Sequence, residues 1–260
     1  MLCARWPFTK VGSLEEAVHW AEIAAILTCN WDEHVRLAEP FITAGKTVYI
    51  DKPIACKERD LWRLLEWKSA KLVLGSSNRY APELLRWRKC PDIRWLLSSV
   101  GQSDPFGYGI HAVEMGQAIL GIGARRVRAL SSGPPFLFEV EHTSGTNWQI
   151  ATQKTAPTFQ VLLETSSETC FLPIAGGKFH GLLVDEVFRV HEGNSPLFGV
   201  DEMVEAIRIL KAAHASVEAG NGWISLEKLL VSFSGEDYQR AYLSKHSLWK
   251  PSQIFEKQSA

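Results

Sequence analysis

The chain has 260 residues, enough for one large domain or two small ones with a sizeable buried core. Its formal net charge of -1 gives no electrostatic basis for binding nucleic acid or an anionic membrane. The sequence contains no apolar run of the roughly 20 residues that a membrane-spanning helix needs, and its N-terminus has no apolar core of signal-peptide length.

The cysteines indicate the cellular compartment of the protein, and the tryptophans indicate how its core is packed. The five cysteines form no C-x-x-C pair and favour reduced thiols in a cytoplasmic protein: Cys3, Cys29, Cys56, Cys90 and Cys170. The ten tryptophans favour core and interface packing over ligand stacking.

The first 80 residues alternate short apolar runs with amphipathic stretches. The pattern predicts strands at 23–27, 46–50 and 71–74, and helices at 14–20, 32–44 and 58–69. Ser13 and Glu16 form a capping box before the first helix, and Gly45 ends the second. The alternation of strand and helix indicates right-handed crossovers and a parallel sheet.

A further helix is predicted at 82–89. After about residue 125 the sequence pattern changes from alternating strands and helices to short β-rich segments. Short β-rich segments predict an antiparallel sheet at 126–130, 136–141, 148–152, 158–164, 169–173 and 182–191. His180 and His191 are expected on the surface of that sheet. An amphipathic helix is predicted at 200–218.

Asp51-Lys52-Pro53 follows the β-branched and aromatic run 47–50. In doubly wound α/β folds, ligands bind at the carboxyl ends of such strands. Lys52 could be a catalytic acid or an electrostatic clamp, and Asp51 could accept hydrogen bonds from a ribose. A solvated Asp-Lys turn is the alternative.

His111 follows Gly107 and Gly109, whose lack of a side chain lets the backbone approach a ligand closely. A histidine there can move a proton near neutral pH, or it can simply be a satisfied residue at a helix N-terminus. The string Gly107-x-Gly109-x-x-Ala112 is no dinucleotide fingerprint, because loop residues rather than a strand precede it.

Asn30, His34, Asn78 and Arg79 are expected at the same sheet edge as Lys52. Each could touch a ligand, although Asn30 or Asp32 could instead cap the helix that follows. No His/Cys/Asp/Glu spacing resembles a zinc site, so no metal is expected.

Four segments together resemble the Gfo/Idh/MocA oxidoreductases: 26–34 (ILTCNWDEH), 44–53 (AGKTVYIDKP), 108–114 (YGIHAVE) and 206–220 (AIRILKAAHASVEAG). The resemblance covers roughly residues 11–230. It implies a Rossmann-like parallel sheet in residues 1–80. Residues 81–260 would then form an α/β substrate and oligomerisation domain with an open, mainly antiparallel sheet and helices.

The resemblance implies hydride transfer between NAD or NADP and a sugar, inositol or polyol. Lys52 would polarise the substrate oxygen and His111 would take the hydroxyl proton. Tyr108 and Arg79 would bind substrate. Residues along the cofactor cleft would be Cys29, Asn30, His34, Asp51, Pro53 and Asn78.

Two departures from the family pattern bear on activity. Gly107 stands where the family usually has an aspartate that positions the imidazole or the substrate; Glu114 could take over part of that role. The first βαβ unit, with its glycine-rich phosphate loop, is expected to be absent, which would weaken or abolish cofactor binding.

Two other functions remain open. The chain could be a non-catalytic sugar-binding or assembly module that self-associates through its sheet, or it could use Lys52 and His111 for cofactor-independent elimination or epimerisation. Whatever the function, a homo-oligomer through the β-sheet face is expected, because an exposed apolar sheet face is normally covered by another subunit.

Overall fold

The computed structural model describes residues 8–101, 106–131, 135–154, 158–175, 177–228, 234–237 and 239–240. Its α-helices are α1 (Leu14–Trp20), α2 (His34–Thr43), α3 (Glu58–Glu66), α4 (Pro82–Leu85), α5 (Gly109–Leu120), α6 (Lys178–His191) and α7 (Val200–Glu218). Its strands are β1 (Ile23–Ile26), β2 (Thr47–Ile50), β3 (Leu72–Leu74), β4 (Trp95–Gly101), β5 (Ala124–Ala129), β6 (Leu137–His142), β7 (Asn147–Gln153), β8 (Phe159–Glu164), β9 (Thr169–Pro173) and β10 (Ile224–Ser225).

In the first part of the chain, side chains that cap free backbone N–H groups determine where the helices begin. The Ser13 hydroxyl oxygen accepts the Glu16 backbone N–H at 3.1 Å and begins α1, as predicted. The Asn30 side chain caps a single 3-10 turn at Trp31–Glu33, so α2 begins at His34, two residues later than predicted.

Strands β1, β2 and β3 form a parallel sheet in that order. All residues of β2 and β3 are buried, as is typical of parallel strands that are covered on both faces. Helices α2 and α6 both pack against β2. This unit confirms the predicted parallel sheet.

A second sheet has seven strands in the order β10-β5-β6-β7-β4-β8-β9. Neighbouring strands are antiparallel, except that β4 and β7 are parallel. Helices α5 and α7 cover one face of this sheet. Gly116 in α5 lies against Trp148 of β7, where an added Cβ would come within 2.5 Å of the indole, so a glycine permits the close approach. The sheet is therefore open and mainly antiparallel, as expected.

The strand predicted at 182–191 is wrong, because these residues belong to α6. Leu183, Glu186, Val187 and Val190 are buried, and their spacing of three and four residues is that of a helix face. His180 and His191 therefore lie on a helix and not on a sheet surface.

Helix α6 attaches the C-terminal part of the chain to the parallel sheet. It packs against β2 and β3. At its C-terminal end, His191 Nδ1 lies 3.0 Å from Thr47 Oγ1, and the Lys71 ammonium donates to the His191 carbonyl oxygen at 2.9 Å. The division between residues 80 and 81 stays a prediction.

The helices and cysteines of the described residues bear on membrane spanning and on disulfide bonding. No helix among them is long and apolar enough to cross a membrane. Cys29, Cys56, Cys90 and Cys170 form no disulfide with one another. Cys3 lies outside the described residues.

Candidate functional site

The carboxyl ends of the three parallel strands meet at one edge of their sheet. Asp51 and Lys52 follow β2 directly, Ser76 follows β3 after Gly75, and Cys29 lies in the turn after β1. The first turn of α5 brings His111 to this edge. The sequence pattern thus predicted the main groups of this edge.

Lys52, Tyr108 and His111 form one cluster. The Lys52 ammonium lies 5.9 Å from the centre of the Tyr108 ring, and the Tyr108 and His111 rings meet edge to face with centres 5.8 Å apart. Burial raises the pKa of the Cys29 thiol, and the nearby Lys52 charge opposes that rise. Lys52 is therefore half-buried near an aromatic ring and does not lie in a fully solvated turn.

His111 is 8% exposed, and the centre of its ring lies 5.1 Å from that of Phe159. Burial, then the charge of Lys52, then His180 hold the pKa of His111 well below its usual range. The imidazole is therefore neutral near pH 7 and can accept a proton. Its Nδ1 lies 2.7 Å from Ser76 Oγ.

Glu114 lies one helical turn after His111 and does not replace the missing aspartate by direct contact with the ring. Its Oε2 accepts the Ser76 backbone N–H at 2.6 Å and lies 3.9 Å from Arg79 Nη1. Burial raises the pKa of Glu114 to about 6, against the opposing effects of Arg79 and of the Ser76 N–H.

Asp51 and Asn78 supply polar groups at the ends of β2 and β3. The Tyr49 hydroxyl lies 2.8 Å from Asp51 Oδ1 and 3.0 Å from the Gly75 carbonyl oxygen, so these two acceptors share its single proton. Asn78 is 2% exposed, and its Nδ2 has no hydrogen-bond partner among the described residues. A buried donor without a partner is costly, which suits a polar ligand atom at this point.

Arg79 is fully buried and reaches the cluster only through Glu114. Its guanidinium donates to Gln117 Oε1 at 3.2 Å, contacts the Met203 sulfur and lies 4.2 Å from the centre of the Phe198 ring. The structure therefore places Arg79 between α5 and α7, behind the strand edge.

Asn30 and His34 shape the turn after β1. Asn30 Oδ1 accepts the Asp32 N–H at 3.0 Å, which confirms the capping alternative. His34 Nε2 lies 2.8 Å from the Thr28 carbonyl oxygen, and Nδ1 lies 3.2 Å from that of Ile54. The ring thus joins the turn after β1 to the loop after β2. Pro53, in that loop, is buried and follows a cis peptide bond.

The sequence patterns missed two residues of this site. Ser76 lies in Gly-Ser-Ser-Asn, which resembles a turn, and only its place after β3 could have indicated a role. His180 was missed because its region was predicted as sheet. Among the described residues, no group of three or more His, Cys, Asp or Glu side chains could hold a metal ion.

The chain is similar to known proteins in a short stretch of sequence and, more broadly, in fold. No family model matches the chain. A segment of 76 residues is 34% identical to the inositol 2-dehydrogenase of Rhizobium meliloti (strain 1021), covering 28% of this chain and 23% of that enzyme. The matched part is thus less than a quarter of that relative.

Solved structures match over most of the chain. GenD2 from gentamicin A biosynthesis, in complex with NAD, has a TM-score of 0.71 at 17% identity and covers 86% of this chain and 84% of its own. The scyllo-inositol dehydrogenase of Lactobacillus casei has a TM-score of 0.66 at 14% identity, with 83% of each chain covered. UDP-N-acetylglucosamine 3-dehydrogenase GnnA from Acidithiobacillus ferrooxidans has a TM-score of 0.67 at 14% identity. The match covers 83% of this chain and 86% of that one. The chain therefore shares the overall fold of these dehydrogenases, a Rossmann-like parallel sheet followed by a larger, mainly antiparallel sheet.

Proposed function

We propose that this protein transfers hydride between NAD or NADP and a sugar, inositol or similar polyol. The observation that carries the proposal is the pairing of a buried, neutral His111 with the Lys52 ammonium at the carboxyl edge of the parallel sheet. A proton acceptor and a fixed positive charge are the two groups that oxidation of an alcohol requires.

The proposed chemistry assigns one task to each group. The substrate hydroxyl gives its proton to His111 Nε2, because Nδ1 is engaged with Ser76. The Lys52 ammonium stabilises the negative charge that develops on the substrate oxygen as the C–H bond breaks. The carbon loses a hydride and the oxygen loses a proton, so a carbonyl group forms. Tyr108, which lies between both residues, would contact the substrate.

The polar groups of the strand edge suit NAD(P), which when bound supplies the ring that accepts the hydride. The buried Nδ2 of Asn78 lacks a partner among the described residues, and Asp51 adds a carboxylate beside Lys52. Cys29, Asn30, His34 and Pro53 would form the walls around the nicotinamide end. Arg79 would act on the substrate side through Glu114.

The substrate class is supported by the relatives. One matched sequence is an inositol dehydrogenase, and matched folds include dehydrogenases of inositol and of a nucleotide sugar. Their substrates carry several hydroxyl groups. The described cysteines form no disulfide with one another, which is typical of a reducing, cytoplasmic location.

A homo-oligomer through the open face of the large sheet belongs to the same proposal. The strand pairing places one row of outward side chains across six strands, in the order Arg128, Glu139, Gln149, Leu97, Leu162 and Phe171. The last three are apolar, and Phe171 is 60% exposed. A second copy would remove this apolar end from water.

The test is turnover of myo-inositol and a panel of sugars and polyols with NAD⁺ or NADP⁺, followed by the absorbance of the reduced nicotinamide. Lys52→Met and His111→Asn should each lower kcat/KM roughly 100-fold or more. Lys68→Met, which removes an exposed lysine of the same unit, should leave turnover unchanged.

Two results would contradict the proposal. One is the absence of both nicotinamide binding and nicotinamide reduction across the panel. The other is substrate turnover without added nicotinamide that Lys52→Met abolishes, which would point to elimination or epimerisation.

A further inference from the structure

Ser76 contacts His111, and the proposed function gives the serine itself no role beyond occupying Nδ1. Its Oγ lies 2.7 Å from His111 Nδ1, and Ser76 is 1% exposed. Gly107, four residues before His111, has no side chain that could hold the ring. We propose that Ser76 is the positioning residue of His111, holding Nδ1 so that Nε2 exchanges the proton with substrate. This inference rests on the proposed function.

The position of Ser76 is fixed by two other hydrogen bonds. Its Oγ accepts the Asn78 backbone N–H at 3.1 Å, which fixes the side chain at the start of a 3-10 turn. Its backbone N–H donates to Glu114 Oε2 at 2.6 Å. His111 and Glu114 lie three residues apart on α5, so the loop after β3 is held against one face of this helix at two points.

The backbone before Ser76 leaves no room for the loop to shift. Gly75 has φ +90°, and a Cβ there would lie 2.7 Å from Glu114 Oε2 and 2.8 Å from the Met203 sulfur. The loop is therefore pressed onto α5. A hydroxyl held in this way orients the imidazole before substrate arrives, which is the condition for efficient proton transfer.

A serine at hydrogen-bonding distance from a histidine also occurs in nucleophilic catalysis. Burial argues against that role, because an attacking oxygen must reach a substrate carbon and Ser76 is 1% exposed. Glu114 bonds the Ser76 backbone N–H and makes no hydrogen bond to the imidazole, so the part of the chain that the structure describes supplies no acidic third group of a catalytic triad.

A hydroxyl suits a histidine that accepts a proton at Nε2. Nδ1 then carries a proton before and after the transfer, and the Ser76 oxygen, which has two lone pairs, can accept it in both states beside the Asn78 N–H. Unlike an aspartate, it adds no negative charge that would raise the histidine pKa. The lowered pKa of His111 agrees with a neutral partner.

The direct test uses ¹⁵N-histidine NMR on the full chain without substrate or cofactor. His111→Asn identifies the His111 signals among the eight histidines. Ser76→Ala and Ser76→Gly should both shift the His111 Nδ1 and Nε2 resonances, and Ser76→Thr, which keeps the hydroxyl, should retain them. Glycine is tolerated at the start of a helical turn, so a change shared by the alanine and glycine variants is due to the lost contact and not to the lost cap.

Kinetics supply the second readout. Ser76→Ala and Ser76→Gly should lower kcat roughly 100-fold. KM should stay within about twofold, because a positioning residue does not bind the ground state. Ser76→Thr should restore most of kcat. Unchanged His111 resonances in Ser76→Ala, or a well-folded Ser76→Thr that behaves like Ser76→Ala, would overturn the inference. Shifted resonances in a chain that turns over no substrate would support the contact and contradict the proposed function.

Discussion

Glu114 shows how burial sets the charge of a single group beside the site. It is 1% exposed, and burial raises its pKa to about 6 although Arg79 and the Ser76 N–H oppose the change. Between its usual pKa of 4.5 and about 6, the folded state therefore holds one more proton than the unfolded state. Protonation of Glu114 thus contributes stability that is fully present below about pH 4.5 and is lost as pH rises through about 6.

We predict that Glu114→Gln removes this pH dependence. The free-energy difference of unfolding between the parent chain and the variant should change by about 2 kcal/mol between pH 4.5 and 7. Urea unfolding across this range provides the measurement. His111 titrates equally in both proteins, so its contribution cancels. Parallel curves would show that Glu114 keeps its usual pKa.

At the residue scale, the sequence predicted those groups whose neighbours mark a strand end or a helix start. Lys52 follows a β-branched run, and His111 follows two glycines, so both could be found. The polar contacts of Ser76 and the burial of Arg79 could not, because they depend on Glu114 and Met203, which lie far away along the chain.

At the element scale, the failure at α6 has a physical cause. Val184, Val187, Val190 and Phe188 have high strand propensity, which predicted β-structure. The buried residues nevertheless repeat every three or four positions, and packing against β2 and β3 outweighs local propensity. The central strand β4 was not predicted from the sequence. It pairs in parallel with β7, which lies about 50 residues later in the chain, and local sequence patterns cannot show a pairing over that separation.

Gly75, directly after β3, lies where a side chain would not fit. Gly75→Ala should lower the free energy of unfolding by about 3 kcal/mol or more, because it adds backbone strain at φ +90° and a clash with Glu114 and Met203. Gly145→Ala is the matched control. Its φ is +79° with nothing within 4 Å of the added Cβ, so it should cost about 1 kcal/mol. Equal losses in urea unfolding would show that β3 is not pressed against α5.

At the scale of the whole molecule, the sequence predicted two kinds of sheet in the right order, because strand–helix alternation and runs of short strands are strong signals. The open face of the larger sheet then raises the question of assembly. Its apolar end contains Leu97, Leu162 and Phe171 in one row.

We predict that Leu162→Glu dissociates the oligomer. Light scattering after size exclusion should give a mass well above 29.1 kDa for the parent chain and close to it for the variant. A buried carboxylate in an interface is strongly unfavourable. Ile122→Glu adds the same charge at a residue that is 52% exposed away from this row, and it should stay assembled. A parent chain of 29.1 kDa would refute the proposed interface.

The attachment of α6 to β2 has a consequence for biosynthesis. Thr47 and His191, which meet at this contact, are 144 residues apart. At ribosomal rates, the helix that covers the parallel sheet is completed on the order of ten seconds after strand β2 has been synthesised. During that interval the side chains of β2 and β3 that α6 will cover face solvent or a chaperone, so we expect the yield of folded protein to depend on the speed of translation through residues 48–191.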